Sequence, residues 1–334
     1  MIKVANWILT RRCNLSCHYC RIGKDYLAPP EYPPLSYFIK NEMPTAYIIE
    51  GLSRLHKNNP DMFHIFYGGE PLLRDDLPTI INFCNNRNIH YTIITNNSKE
   101  IQPRLDRLLN EVEFLSGITS SVDPIIYKQD AKDIHRVKKS KEGMARLKEL
   151  TSIVKDVVAE VTVEQDTIHL LYPLIKELSD SGISSDITFA DIAKSPYYDF
   201  SDIIDESVLL QPTEEVKEVF DKLIASDLDI HMKEELLPKL YDILPAKLDC
   251  NLFNNITIDA DGYVRLCLRI LGRLTQQLHL IQYFSPEGMT NTELGYRRIA
   301  DKVEYCQGCN WTCPIIGNTS NINSLVHTDK RNED

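Results

Sequence analysis

The sequence predicts an α/β protein built on a parallel sheet. Strand-like and helix-like segments alternate strictly over the first 190 residues. The strand-like segments are short apolar runs, and the helix-like segments repeat apolar residues at intervals of three and four. Strict alternation indicates parallel strands joined by right-handed crossovers, and six such units fit a partly closed barrel or a doubly wound sheet.

The elements follow one another in regular order along the chain. The predicted strands are 3–10, 61–67, 89–95, 114–122, 156–163 and 185–192. The predicted helices are 45–57, 75–87, 102–110, 141–154, 167–182, 213–226 and 231–243. The alternation ends after the sixth strand, because residues 193–212 carry two prolines and several acidic residues, a composition typical of a linker.

A change in the pattern of apolar and polar residues near residue 250 indicates a further domain. Residues 254–269 alternate apolar and polar side chains around Asp261-Gly262, which predicts a β-hairpin. We therefore expect a barrel-like domain over 1–192, a linker with helices over 193–245, and a small C-terminal domain over 246–334.

Charge and hydropathy exclude several classes of protein. The 334 residues carry 37 basic and 48 acidic side chains, a net charge of −11 that argues against non-specific binding to nucleic acid. No apolar run approaches the roughly 18 residues that a membrane span needs. The N-terminus also lacks a signal-peptide pattern. We expect a cytoplasmic protein without a membrane partner.

Eight of the nine cysteines form two groups separated by about 230 residues. Clustered thiols in a reducing compartment are typical of metal ligands rather than of a disulfide framework. Only Cys84 lies between the groups, on a predicted apolar helix face with Ile80 and Ile81. We expect Cys84 to be a small buried hydrophobic residue.

The first group follows the first predicted strand and reads Cys13-Asn-Leu-Ser-Cys17-His-Tyr-Cys20. Three thiolates this close together can bind one metal centre. One possibility is a zinc knuckle completed by His18 or by a distant residue. The other is a 4Fe–4S cluster, which usually takes four cysteines, so that three would leave one iron open to a non-protein ligand.

A second motif, Gly68-Gly69-Glu70-Pro71, follows the second predicted strand. Two glycines allow the backbone to approach a ligand closely. The carboxylate beside them can accept hydrogen bonds from an ammonium group. The motif therefore suggests a ligand site at the end of this strand.

Together the two motifs resemble those of the radical S-adenosylmethionine superfamily, whose signature is CxxxCxΦC with an aromatic residue, here Tyr19, as Φ. The resemblance implies a partial (β/α)6 barrel. It also implies a 4Fe–4S cluster whose open iron binds S-adenosylmethionine. In that family an electron from the cluster cleaves the sulfonium, and the 5′-deoxyadenosyl radical abstracts a hydrogen atom from the substrate. The electron donor would be a protein such as flavodoxin or ferredoxin.

The resemblance also assigns expected roles to single residues. Cys13, Cys17 and Cys20 would hold the cluster. The glycines and the carboxylate of the second motif would receive the methionine amino group. Weaker matches suggest further S-adenosylmethionine contacts, which are Tyr19, Asn96, Ser121, Asp123 and Arg136.

The second group of cysteines is Cys250, Cys267, Cys306, Cys309 and Cys313. Spacing alone leaves a structural zinc site and an iron–sulfur site equally open. The pattern resembles the SPASM/twitch extension of radical S-adenosylmethionine enzymes, a β-hairpin followed by a helix. That resemblance implies one auxiliary 4Fe–4S cluster, because two fully ligated clusters would need about eight thiolates.

We expect the substrate to be a peptide or protein side chain, as in many SPASM-type enzymes. Because the triplet starts at residue 13, we expect no leader-recognition domain before it. One alternative is a twitch-type radical dehydrogenase of a small molecule such as a sugar or aminocyclitol. Another is a zinc-binding interaction module without catalysis. The Pro/Tyr-rich segment 21–44 leaves the cluster loop directly, and we expect it to cover the substrate side of the barrel.

Overall fold

The computed structural model describes residues 4–17, 20, 34–124, 141–189, 210–211, 213–231, 233, 237, 255–265 and 278–279. Its strands are β1 (Val4–Thr10), β2 (Phe63–Gly68), β3 (Tyr91–Thr95), β4 (Gly117–Val122), β5 (Asp156–Val163), β6 (Ser184–Phe189), β7 (Asn255–Ile258), β8 (Tyr263–Arg265) and β9 (Leu278–His279). Its α-helices are α1 (Leu35–Lys40), α2 (Thr45–Asn58), α3 (Leu77–Asn86), α4 (Gln102–Glu111), α5 (Lys141–Leu150), α6 (Leu171–Asp180) and α7 (Glu214–Ile224). Strands and helices alternate from β1 to β6, which confirms an α/β fold.

The described residues group into two compact units, and each is described by itself. The first contains the residues up to Ile118 together with 255–265 and 278–279. The second contains the described residues from Thr119 to 237. The division expected from the sequence, at residues 192 and 245, stays a prediction.

In the first unit, β1 lies between two parallel neighbours. β2 pairs with it on one side, with Trp7 opposite Phe66, and β3 pairs parallel with β2. β7 pairs with it on the other side, with Trp7 opposite Ile258, and β8 returns antiparallel. The predicted hairpin at Asp261-Gly262 is confirmed, and Gly262 has a φ of 84°, a conformation that favours glycine.

The first unit buries apolar side chains contributed by its strands and its helices. The rings of Trp7, Phe66 and Tyr91 form a chain of contacts, with centroids 6.4 and 5.7 Å apart. Helix α2 buries Ile48, Leu52 and Leu55, which recur at helical spacing. Cys84 on α3 is fully buried, as predicted, and burial raises the pKa of its thiol.

In the second unit, β5 and β6 pair in parallel from Val158 opposite Ser184 onward. Helix α7 begins after Thr213, whose hydroxyl accepts a hydrogen bond from the backbone N–H of Val216 at 3.3 Å. This N-cap explains why the helix starts where the sequence predicts it. Apolar side chains of β5, α6 and α7 share one core, which includes Val161, Leu174, Ile175, Phe220 and Leu223.

Three sequence predictions differ from the structure or lie outside it. The segment 21–44 contains helix α1, which was not predicted because the segment is rich in proline. Residues 21–33 lie outside the described part. The predicted helix 167–182 is a 3₁₀ turn over Gln165–Leu170 followed by α6. In this arrangement Pro173 falls in the first turn of α6, where a backbone N–H has no helical partner to lose. The predicted helix 231–243 lies almost wholly outside the described residues.

Among the described helices, none is both long and apolar enough to cross a bilayer.

Candidate active site

The three cysteines of the first group follow β1 directly. Cys17 is buried, Cys13 and Cys20 are half-buried, and none of the three forms a disulfide bond with another described residue. The backbone N–H of Leu15 donates to the Cys13 sulfur at 3.4 Å, and the N–H of Cys20 donates to the carbonyl of Cys17 at 3.1 Å. Within the described ranges, no group of three His, Cys, Asp or Glu residues stands close enough to hold one metal ion. In a 4Fe–4S cluster each thiolate binds a different iron, and three cysteine thiols in one loop fit that donor set.

The two glycines bring the end of β2 against the start of the cysteine loop. The N–H of Gly69 donates to the carbonyl of Thr10, and the N–H of Glu70 donates to the carbonyl of Arg12, both at 2.8 Å. A Cβ at Gly69 would stand 2.1 Å from the Arg12 carbonyl oxygen, and one at Gly68 would stand 2.3 Å from that of Thr10. Glycine is therefore required here for a close approach of two backbone segments.

Glu70 is fully buried, and the protein supplies hydrogen bonds to its carboxylate. The donors are the Thr95 hydroxyl at 2.9 Å, the Asn96 N–H at 2.8 Å and the Leu72 N–H at 3.1 Å. A carboxylate has about four acceptor positions. Two of them thus join the end of β2 to the end of β3 and the turn after it, and the third is used by the local N–H of Leu72. Whether Glu70 also receives an ammonium group stays a prediction.

The turn after β3 reaches the first cysteine through a ring of amide and hydroxyl groups. The Asn96 Nδ2 atom donates to Asn14 Oδ1 at 2.9 Å and lies 3.9 Å from the Cys13 sulfur. Asn14 donates to the Ser98 hydroxyl, and the N–H of Ser98 donates back to Asn96 Oδ1. Asn97 has a φ of 46°, which asparagine tolerates better than most residues, so this turn forms without a glycine.

Two arginines directly before Cys13 fix the base of the loop, and no sequence motif predicts a function for them. Arg11 binds Asp259 through Nε at 2.9 Å and Nη2 at 2.7 Å. Arg12 binds Glu42 through Nε and Nη2, both at 2.9 Å. The hydrogen bond to Glu42 is the main cause that raises the pKa of Arg12. The Arg-Arg pair is visible in the sequence, but no neighbouring residue indicates that its acidic partners are Asp259 and Glu42.

The remaining predicted site residues lie in the second unit or outside the described residues. Ser121 and Asp123 are buried at the end of β4 and lie in the second unit. The other predicted residues lie outside the described part of the chain, and they are Tyr19, Arg136, Cys250, Cys267, Cys306, Cys309 and Cys313. Their roles stay predictions.

Comparison with known proteins decides the class of the first domain. The family model described as the radical SAM superfamily matches residues 7–169. These residues form a radical SAM domain. This domain therefore belongs to the radical SAM class of enzymes, as the sequence predicted.

Two curated relatives of the radical SAM chain differ in what their names describe. The 7,8-dihydro-6-hydroxymethylpterin dimethyltransferase of Methanocaldococcus jannaschii is 24% identical over 249 residues, 70% of this chain and 43% of that protein. A PqqA peptide cyclase of Xanthomonas euvesicatoria is 27% identical over 150 residues, 44% of this chain and 35% of that protein. The chain thus spans less than half the length of these relatives.

A solved structure supports the fold of the radical SAM chain. The crystal structure of Streptococcus suis SuiB bound to S-adenosylmethionine matches with a TM-score of 0.59 at 14% identity. The match covers 86% of this chain and 68% of that chain. At this identity the likeness shows a shared fold, consistent with a partial TIM-like barrel.

The radical SAM domain implies a 4Fe–4S cluster and S-adenosylmethionine as its cofactors. The thiols of Cys13, Cys17 and Cys20 fit such a cluster, and these are the residues that would hold it. The cluster would supply the electron that cleaves the sulfonium bond. The protein's own part is to fix the cysteine loop through Gly69, Glu70 and the turn after β3.

Proposed function

We propose that this chain reductively cleaves S-adenosylmethionine to a 5′-deoxyadenosyl radical, which abstracts a hydrogen atom from a peptide or protein side chain. The observation that carries the proposal is the cysteine triplet after β1, joined within one compact unit to the Gly68–Glu70 segment and the turn after β3. The match of residues 7–169 to the radical SAM family supports it.

Each part of this site has a proposed task. Cys13, Cys17 and Cys20 hold the redox cluster and leave one iron open to S-adenosylmethionine. The Gly68–Glu70 segment receives the methionine amino group. An external protein such as flavodoxin or ferredoxin supplies the electron.

A peptide substrate is supported by the relative named PqqA peptide cyclase, which is similar to 44% of this chain. In the same proposal, four of the five C-terminal cysteines hold one auxiliary 4Fe–4S cluster in a SPASM- or twitch-like domain. The hairpin at Asp261-Gly262 supports this idea, because β8 ends two residues before Cys267. That cluster would accept an electron from the substrate radical, bind the substrate, or serve as structure.

A small-molecule substrate is the second candidate. The relative that covers the larger share of this chain, 70%, is named for a pterin substrate. A sugar or aminocyclitol belongs to the same chemical class of small polar substrates. Both candidates share the cleavage of S-adenosylmethionine and differ only in the hydrogen donor.

The first test measures the cleavage itself. Anaerobically reconstituted protein with dithionite and S-adenosylmethionine should produce 5′-deoxyadenosine, and the triple variant C13A/C17A/C20A should produce none. The variant C84A is the matched control, because it also removes a thiol but one that is buried on α3. Cleavage retained in the triple variant, or zinc in place of iron in the wild type, would contradict the proposal.

The second arm identifies the substrate class. Protein-derived peptides and small metabolites from cells grown in deuterated medium are offered separately. Deuterium found in 5′-deoxyadenosine only with the peptide fraction would support a peptide substrate. Deuterium transferred only from the metabolite fraction would replace it with the small-molecule candidate.

A further inference from the structure

A buried ion pair of Arg11 and Asp259 links the N-terminal and C-terminal parts of the first unit. Their side chains are 7% and 0% exposed, and two hydrogen bonds join the guanidinium fork to both carboxylate oxygens. Asp259 Oδ1 also accepts the N–H of Ala260 at 2.7 Å. The pair thus connects positions 248 residues apart with its charged groups almost completely removed from water.

The surroundings of this pair join a third segment to the same point. The Arg11 guanidinium carbon lies 4.1 Å from the centre of the Phe38 ring on α1. The N–H of Met43 donates to the carbonyl of Ala260 at 2.7 Å. The segment before α2 and the C-terminal hairpin therefore both lie close to Arg11, two positions before Cys13.

The neighbouring pair of Arg12 and Glu42 provides a contrast. Its side chains are 38% and 17% exposed, so water screens their attraction. Water does not screen the attraction between Arg11 and Asp259 in this way, because both side chains are buried. Removal of one partner would leave an uncompensated charge in the interior, and Arg11 would lose the group that fixes its direction.

We propose that Asp259 is a positioning residue for the radical SAM cluster, which it serves by holding Arg11 and thereby the backbone that carries Cys13. The C-terminal hairpin is then part of the support of the cluster loop. This inference rests on the proposed cluster at Cys13, Cys17 and Cys20 and does not depend on the substrate. Groups that orient the ligands of a metal centre typically change its affinity by about 10–100-fold when they are lost.

The test uses the full-length reconstituted protein with three variants. D259N keeps the volume of the side chain and removes its charge, and R11K keeps the charge but removes the fork. R11M/D259L removes both charges and fills the space with apolar groups, a replacement that often preserves or raises stability. E50Q is the control, because it breaks an exposed ion pair with Arg54 on α2.

Three quantities are measured, namely the melting temperature, the rate of iron release to a chelator, and the change that S-adenosylmethionine causes in the electron paramagnetic resonance spectrum of the reduced protein. D259N and R11K should release iron about tenfold faster or more and show an altered spectral change. R11M/D259L should melt at or above the wild-type temperature and still show both defects. E50Q should match the wild type.

Two results would overturn the positioning role. One is a normal rate of iron release and a normal spectrum in R11M/D259L, because the pair would then contribute only to folding. The other is a normal rate in D259N with the fold intact. If the wild type itself shows no spectral response to S-adenosylmethionine, the proposed function fails instead, so the two failures are distinguishable.

Discussion

The carboxylate of Glu70 illustrates how single residues shape this site. It accepts hydrogen bonds from Thr95, Asn96 and Leu72, and it is completely excluded from water. The sequence motif predicted a ligand contact for Glu70. The structure shows that this carboxylate also organises the protein, because it joins β2 to the turn that carries Asn96 toward Cys13.

We predict that Thr95→Val destabilises the protein by about 1–3 kcal/mol, because a buried charged acceptor loses one donor and water cannot replace it. Valine has nearly the same shape as threonine, so the packing changes little. Thr95→Ser keeps the hydroxyl and is the matched control. The free energy of unfolding from urea titration measures the effect, and equal losses in both variants would show that the methyl group, rather than the hydrogen bond, matters.

At the scale of elements, β1 and β2 are joined by an unusual polar contact inside the core. The indole N–H of Trp7 donates to His64 Nδ1 at 3.0 Å, and His64 is fully buried. Its Nε2 atom has no hydrogen-bond partner among the described residues. Burial is the main cause that lowers the pKa of His64 to about 3, and His56 and His90 lower it further. The imidazole is therefore neutral in the folded state.

This shift predicts a loss of stability in acid. The folded pKa of about 3 lies below the ordinary value of 6.5, so the unfolded chain binds the proton more readily between these values. Stability should fall as the pH drops below 6.5, by about 2 kcal/mol at pH 5. His64→Asn should lose part of this pH dependence, measured by denaturation at pH 7 and pH 5. His169→Asn, at an exposed position, is the control and should keep it.

The elements also show how far the sequence alone leads. Strands β1 to β6 are predicted because strand-like segments alternate with helical periods, and β1 is a compact apolar run. The hairpin is predicted because Asp-Gly favours its turn. Helix α1 is missed because its six residues follow several prolines and are too few to show a period. The pair of Arg11 and Asp259 is missed because no local pattern selects one partner 248 residues away.

For the whole molecule, the N-terminal motifs are the most predictable part of the site. The cysteine triplet and Gly68-Gly69-Glu70 are contiguous in sequence, so spacing identifies them, and their bonds in the first unit join them. The residues that hold this loop in place come from three distant segments and depend on the packing of the chain. For the C-terminal cysteines, spacing does not distinguish zinc from an iron–sulfur cluster, so elemental analysis has to decide which metal they bind.

The last prediction therefore counts iron in the whole protein. Two 4Fe–4S clusters would give about eight irons per reconstituted chain. C13A/C17A/C20A and C250A/C267A should each retain about four, because each variant removes the ligands of one cluster. Iron and zinc are measured together by elemental analysis. A wild-type value near four irons would mean that the C-terminal site holds no such cluster, and a value near twelve would mean that more cysteines and other groups act as ligands than the two proposed sets contain.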